Sequence, residues 1–264
     1  MGYYCGIDVG ASTAKLVIVD SDRTVVGRSL RSSGVDYAAT AGECLDDGLE
    51  SAGIDRRQVV FSLATGYGRS NVPWADAAMT EIACHGKGAH FHFPEAITVI
   101  DIGAQDNKVI NLDARGRRTS FKMNRKCAAG TGAFLEEIAL RLNLDISELN
   151  GLAEKSTKEV TLGSFCTVFA ATEILGKIRA GQQVEDIVKG AFRSVVKRIV
   201  EMDAIEGRLV MTGGVVAHNR LLRSLAAEAF NTEVLVPPQP QYIGAFGAAL
   251  SAIEKSTEEK GKQS

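Results

Sequence analysis

One stretch of the chain occurs twice. Residues 7–20, IDVGASTAKLVIVD, and residues 100–113, IDIGAQDNKVINLD, align without a gap at an offset of 93, with six identities in 14. The identical pairs are Ile7/Ile100, Asp8/Asp101, Gly10/Gly103, Ala11/Ala104, Lys15/Lys108 and Asp20/Asp113. An apolar run precedes each aspartate, so each copy reads as strand, tight Asp-x-Gly turn and second strand. Two hairpins can look alike by chance. These identities, however, fall on polar and glycine positions that a shared strand pattern does not explain. A duplicated architecture with one hairpin per domain follows.

Around the hairpins the chain alternates. Helices are expected at 37–53, 74–92, 133–142, 166–179, 184–206, 218–230 and 243–254, and strands at 57–64, 117–122, 208–212 and 233–236. The tail 255–264 reads as frayed. The class is α/β, with helices packed on sheets. Domain I is expected to comprise 1–94 plus 241–264, the final helix returning to it, and domain II 95–240.

At 45% apolar and 23% charged residues with a net charge of −2, the composition is that of an ordinary globular protein without a broad nucleic-acid footprint. No apolar run approaches the length of a membrane span. The segment Met1–Cys5 has neither a basic nor an apolar signal region, so no export and no disulfide framework is expected for the five cysteines.

An aspartate at a strand end, followed by glycine and small hydroxyl residues, suits phosphate and Mg²⁺. Glycine permits close backbone approach, and Ser12 or Thr13 can donate hydrogen bonds. Asp8 and Asp101 can face a metal–triphosphate from two sides through coordinated water, with Lys15 or Lys108 supplying positive charge. A third glycine site, Met211-Thr212-Gly213-Gly214-Val215, follows an apolar strand and precedes a helix. There a base or ribose can lie on bare backbone. No G-x-x-x-x-G-K-[ST] element occurs, which excludes a Walker-type site. Gly130-Thr131-Gly132 is too short for a dinucleotide fingerprint. Each glycine turn alone reads as structural; the set of three favours a nucleotide.

Cys127 lies just ahead of the expected 133–142 helix, and Cys166 at the start of another. A helix N-terminus favours negative charge on a sulfur there. Isolated cysteines are more often small buried hydrophobes, the reading preferred for Cys5, Cys44 and Cys84. Two thiolates do not complete a four-ligand site, whereas a symmetric dimer supplies two plus two for an iron–sulfur cluster or zinc. His85, His90 and His92 do not converge on one helical face and read as packing or solvated residues.

The paired Asp-x-Gly hairpins and the later Thr-Gly-Gly resemble the actin, sugar-kinase and heat-shock ATPase superfamily, two related domains with a nucleotide cleft between them. The motifs KCAAGTGAFLEEIA, SFCTVFAATEI, VIDIGAQDNK, FSLATGYGR and MTGGVVAHN are more specific. They resemble the activators of 2-hydroxyacyl-CoA dehydratases, a family shared with ATP-binding subunits of benzoyl-CoA reductase. The resemblance covers residues 4–254. It implies a cytoplasmic homodimer holding one [4Fe–4S] cluster through Cys127 and Cys166 of each subunit. ATP with Mg²⁺ would drive one electron into a dehydratase or reductase partner, with reduced ferredoxin or flavodoxin as donor.

On this reading Asp8, Gly10, Ala11, Ser12, Thr13, Ala14 and Lys15 form the first phosphate loop. Asp101, Gly103, Ala104 and Gln105 form the second, with Gln105 orienting the attacking water and the two aspartates completing the catalytic set. Gly213, Gly214, Val215, Asn219 and Gln241 surround the adenosine. The commonest family motif reads Asp-Ile-Gly-Gly-Gln, so Ala104 adds a methyl beside the phosphates and restricts the backbone. A small-molecule kinase on the same fold, for which no sugar-binding carboxylate insertion is evident, and a zinc-bridged or nucleotide-binding scaffold are the other classes weighed.

Overall fold

In a computed structural model, residues 2–124, 127–163 and 166–263 are described. Arg125, Lys126, Ser164 and Phe165, which belong to the two cysteine motifs, lie outside the described residues. The chain divides into two compact units, residues 1–94 with 241–264, and residues 95–240.

In the first unit β1 (Tyr3–Val9), β2 (Thr13–Val19), β3 (Val25–Ser32), β4 (Val59–Thr65) and β5 (Ala77–Ala78) make one sheet of order β3-β2-β1-β4-β5. The β1–β2 and β2–β3 pairs are antiparallel and β1–β4 is parallel. Alternation sends Cys5, Ile7 and Val9 to one face, where they meet Ala41, Cys44, Leu45 and Leu49 of α1 (Tyr37–Ala52). The opposite face is covered by α2 (Glu81–His92) and α9 (Ile243–Gln263). Gly6 on β1 makes that cover possible: a Cβ there would strike the backbone of Ala245 and Ala249.

The second unit repeats the plan. Its strands β6 (Ile97–Ile102), β7 (Asn107–Leu112), β8 (Arg118–Asn124), β9 (Arg208–Thr212) and β10 (Val234–Leu235) order as β10-β9-β6-β7-β8. Read from the other edge, this is the order of the first sheet. Between β8 and β9 the chain inserts α3 (Gly132–Leu142), α4 (Leu149–Glu154), α5 (Thr167–Arg179) and α6 (Val184–Val200); α7 (Gly214–His218) and α8 (Arg220–Phe230) follow β9. Ile100, Ile102 and Val109 share one core with Phe134, Ile138, Val188 and Phe192.

Four expected elements differ. The 74–92 helix begins only at Glu81, because Asp76 accepts bonds from the Ser62 N–H and hydroxyl and holds its neighbours as β5, while Thr80 caps α2. The 184–206 helix ends at Val200, and Thr98 exchanges hydrogen bonds with the backbone of Glu206. The 218–230 helix is divided at Asn219, whose φ of −131° is not helical. The tail expected to fray continues α9 to Gln263, in a stretch rich in the helix formers Lys, Glu and Gln. Among the described residues no helix is long and apolar enough to cross a membrane.

Candidate functional site

Each unit buries one aspartate at the end of its central strand. In the first, Asp8 lies opposite Lys15 on β2 and opposite Thr65 on β4. Gly66 follows Thr65 with φ +89°, and a Cβ there would strike the Asp8 carboxylate and the Val9 carbonyl. In the second, Asp101 lies opposite Lys108 and Thr212. Gly213 follows with φ +101°, and its Cβ would strike the Ile102 carbonyl and lie 2.7 Å from Asp101 Oδ1. Both positions require glycine twice over: φ is in the left-handed region, and a carboxylate and a carbonyl occupy the space of a side chain.

The turns also match. The Gly10 N–H donates to the Thr13 carbonyl at 3.0 Å, and the Gly103 N–H to the Asp106 carbonyl at 2.9 Å. In the first loop Ala11 and Thr13 are half-buried and Ser12 is exposed, while the side chain of Ala14 is in the core. The Ser33 hydroxyl donates to the Gly10 carbonyl at 2.6 Å and steadies the loop. In the second loop Ala104 is half-buried and Gln105 exposed.

The charges are arranged differently. Lys108 is only 3% exposed. Its ammonium donates to Asp101 at 3.0 Å and to Asp106 at 2.7 Å, so it is engaged as a counter-ion within the hairpin. The Thr212 hydroxyl donates to Asp101 at 3.3 Å. Lys15 is half-buried and donates to the Thr13 carbonyl at 3.3 Å, turned to the loop. On the Asp8 side, Nε2 of His85 from α2 lies 3.8 Å from Asp8 Oδ2. A Cβ at Gly244, on α9, would sit 2.6 Å from the same oxygen and 2.7 Å from His85 Nε2. His85 is thus part of the aspartate's surroundings, and the packing or solvated role expected of it is incomplete.

The 211–219 segment forms strand, bend and short helix. Gly213 N–H donates to the Pro240 carbonyl at 3.0 Å, Gly214 and Val215 open α7, and Asn219 is buried with its amide on the Val215 carbonyl at 2.8 Å. Gln241 is half-buried in the turn Pro240–Tyr242.

The cysteines separate by unit. Cys5, Cys44 and Cys84 are fully buried in the first, where burial pushes all three thiols up, that of Cys84 to about 12. In the second, Cys127 is exposed and Cys166 half-buried, ahead of α3 and α5, which pack on one another. These two accessible sulfurs suit a metal cluster and supply half of a four-cysteine set. Cys166 is the N-cap of α5. Cys127 is not at a helix start: α3 is capped at Thr131, and its first amides, Gly132 and Ala133, donate to the carbonyls of Gly103 and Ala104 at 2.9 and 2.8 Å. The dipole expected to act on Cys127 is therefore directed at the second Asp-x-Gly turn; the Cys127 sulfur accepts from the Ala129 N–H at 3.4 Å. Asn107 further ties the hairpin to this segment through the Gly130 carbonyl at 2.7 Å.

Sequence reading missed Thr65, Gly66, His85 and Gly244. A signal existed for the first two: Ala64-Thr65-Gly66 and Met211-Thr212-Gly213 are a second internal repeat. The helix α1 separates Asp8 from its threonine, whereas α3 to α6 separate Asp101 from its own, so no constant offset exposes the match.

Duplicated five-stranded units, each with an Asp-x-Gly hairpin beside a Thr-Gly bend, define the actin-like and sugar-kinase-like α/β fold. A ROK family glucokinase from Streptomyces griseus, in complex with glucose and AMPPNP, matches 96% of this chain and 100% of its own at a TM-score of 0.59 and 13% identity. Within that fold the chain belongs to the BadF/BadG/BcrA/BcrD ATPase family, whose profile matches residues 5–252. It is 42% identical over 258 residues to the (R)-2-hydroxyglutaryl-CoA dehydratase activating ATPase of Acidaminococcus fermentans, covering 96% of this chain and 98% of the relative. The structure of the activator of the 2-hydroxyisocaproyl-CoA dehydratase from Clostridium difficile, with bound ADPNP, superposes at a TM-score of 0.92, with 39% identity and coverage of 98% and 97%. A benzoyl-CoA reductase subunit of Thauera aromatica is 31% identical over 257 residues, 93% of this chain and 91% of the relative.

Proposed function

We propose that this protein is a cytoplasmic ATP-hydrolysing activator that delivers one electron to a 2-hydroxyacyl-CoA dehydratase. Asp8, Gly10, Ala11, Ser12, Thr13, Ala14 and Lys15 serve the phosphates from one hairpin, by backbone amides, hydroxyls and the Lys15 ammonium. Asp101, Gly103, Ala104 and Gln105 serve them from the other, Gln105 orienting water and both aspartates holding Mg²⁺ through its waters. Gly213, Gly214, Val215, Asn219 and Gln241 receive the adenosine. Lys108 takes no phosphate role, because it neutralises Asp101.

Cys127 and Cys166 of two copies of the chain would hold one [4Fe–4S] cluster. That group supplies a single low-potential electron, received from reduced ferredoxin or flavodoxin. Val168, Phe169, Leu175 and Ile178 on α5 and Leu140 on α3 are exposed apolar residues on the two helices that follow the cysteines, which supports pairing of two copies there.

The observation that carries the reading is the pair of bonds from Gly132 and Ala133 to the Gly103 and Ala104 carbonyls. A change of the phosphate loop on hydrolysis must move the start of α3, five residues beyond Cys127. Nucleotide state is thereby transmitted to a cluster ligand through hydrogen-bonded backbone.

Anaerobically purified protein is expected to be a brown dimer that hydrolyses ATP without forming a phosphorylated product. Cys127→Ala should lose its iron and sulfide; full retention of both sinks the ligand assignment. The match to the benzoyl-CoA reductase subunit supports a second reading, an electron-activating subunit of an aromatic-ring reductase, and restored activity of that reductase rather than a dehydratase would select it.

A further inference from the structure

We infer that His85 is the positioning residue for Asp8, holding its carboxylate in the orientation the phosphate site uses. The inference rests on the proposed assignment of Asp8 to the nucleotide.

Asp8 is 6% exposed and His85 5% exposed. A carboxylate in such a place needs a compensating partner and, to act on a ligand, a fixed rotamer. In the second unit the cross-strand lysine meets that need, with Lys108 at 3.0 Å from Asp101. In the first unit the lysine at the same register position, Lys15, is turned to the loop and donates to Thr13. His85 is placed instead on α2, with Nε2 3.8 Å from Asp8 Oδ2.

Three further features close the pocket around this pair. Gly66 has no side chain, so Asp8 Oδ1 can occupy the space a Cβ would take. Gly244 leaves room for Oδ2 and for the His85 ring together; a Cβ would be 2.6 and 2.7 Å from them. Thr80 caps the start of α2, the helix that carries His85. The glycines confine the carboxylate on two sides, and the imidazole meets it on a third. This exchange leaves the Lys15 ammonium beside the Gly10–Thr13 turn, where the proposed phosphates approach.

The two amide replacements of the histidine separate position from polarity. His85→Gln puts an amide nitrogen near the site of Nε2, and His85→Asn puts one near that of Nδ1. MgATP turnover and ADP affinity with and without Mg²⁺ are measured for both replacements in wild-type and Asp8→Asn backgrounds, with melting temperatures as a check of folding. The expected result is a fall in kcat of about 10²-fold in His85→Asn, the size that follows a misplacement of about an ångström. KM should change little, and His85→Gln should retain kcat to within about threefold. The Mg²⁺-dependent gain in ADP affinity should fall in parallel with kcat. In the Asp8→Asn background neither replacement should add more than about a twofold loss, because residues acting through one another are not additive. Equal turnover of the two replacements in a folded, active protein, or fully additive losses with Asp8→Asn, overturns the positioning role alone. A wild-type protein that neither binds ADP nor hydrolyses MgATP overturns the nucleotide assignment of Asp8 and the role of His85 with it.

Discussion

The two hairpins place the same residues at the same register and use them differently. Asp101 is held by the lysine directly across the ladder, whereas Asp8 faces a histidine brought in by a helix. Strand pairing is a backbone property and survives duplication, so Asp8/Lys15 and Asp101/Lys108 remain opposite one another. Where a long lysine stem points is decided by what else is packed nearby. Asp106 draws Lys108 inward, while in the first unit the space beside the aspartate is occupied by His85 and α9. A repeat in sequence is therefore not a repeat in electrostatics.

The strongest way to break this comparison is to remove each lysine. Lys108→Met leaves Asp101 buried without its counter-ion and should cost about 3–5 kcal/mol of stability. Lys15→Met removes one half-buried hydrogen bond to a carbonyl and should cost about 1 kcal/mol or less. Chemical denaturation of both variants checks the pair, and equal losses would erase the distinction.

The thiols differ by unit as well. In metal-free protein at mildly alkaline pH, iodoacetamide should modify Cys127 and Cys166 at least about 10²-fold faster than Cys5, Cys44 and Cys84, since the thiolate is the reacting form and burial suppresses it. Peptide mass spectrometry reads the order directly.

Gly66→Ala and Gly213→Ala test the likeness rather than the difference. Both residues have positive φ with a carboxylate and a carbonyl where the methyl would go, so each should lose about 1–3 kcal/mol from backbone strain alone. Similar shifts in melting temperature would confirm the shared Asp–Thr-Gly arrangement. The smallest effect is expected at position 104. Ala104 is not among the described non-glycine residues with positive φ, so its methyl sits on an unstrained backbone. Ala104→Gly should then destabilise by about 0.5–1 kcal/mol through backbone entropy, with no gain. Thermal unfolding decides its sign.

Much of the local structure was legible in the sequence. The hairpins, the β9 strand and the helix after Gly130 follow from apolar periodicity and from glycine at turns, which act over a few residues. The late start of α2 and the early end of α6 were not legible, whereas the helix formers that carry α9 to Gln263 were present in its own sequence. Those two boundaries are decided by Asp76 on Ser62 and Thr98 on Glu206, partners 14 and 108 positions apart in the chain.

The amino-acid sequence by itself determined the α/β class, the duplicated Asp-x-Gly hairpins and the family motifs, since each is written in contiguous residues whose spacing sets their backbone geometry. Only the tertiary structure decided that Lys108 is a buried counter-ion, that His85 faces Asp8, and that the first amides of α3 bind the Gly103 and Ala104 carbonyls rather than the sulfur of Cys127. Those outcomes depend on which groups share a small buried volume, where an unpaired charge or N–H is costly, and that is settled by packing between elements far apart in the chain.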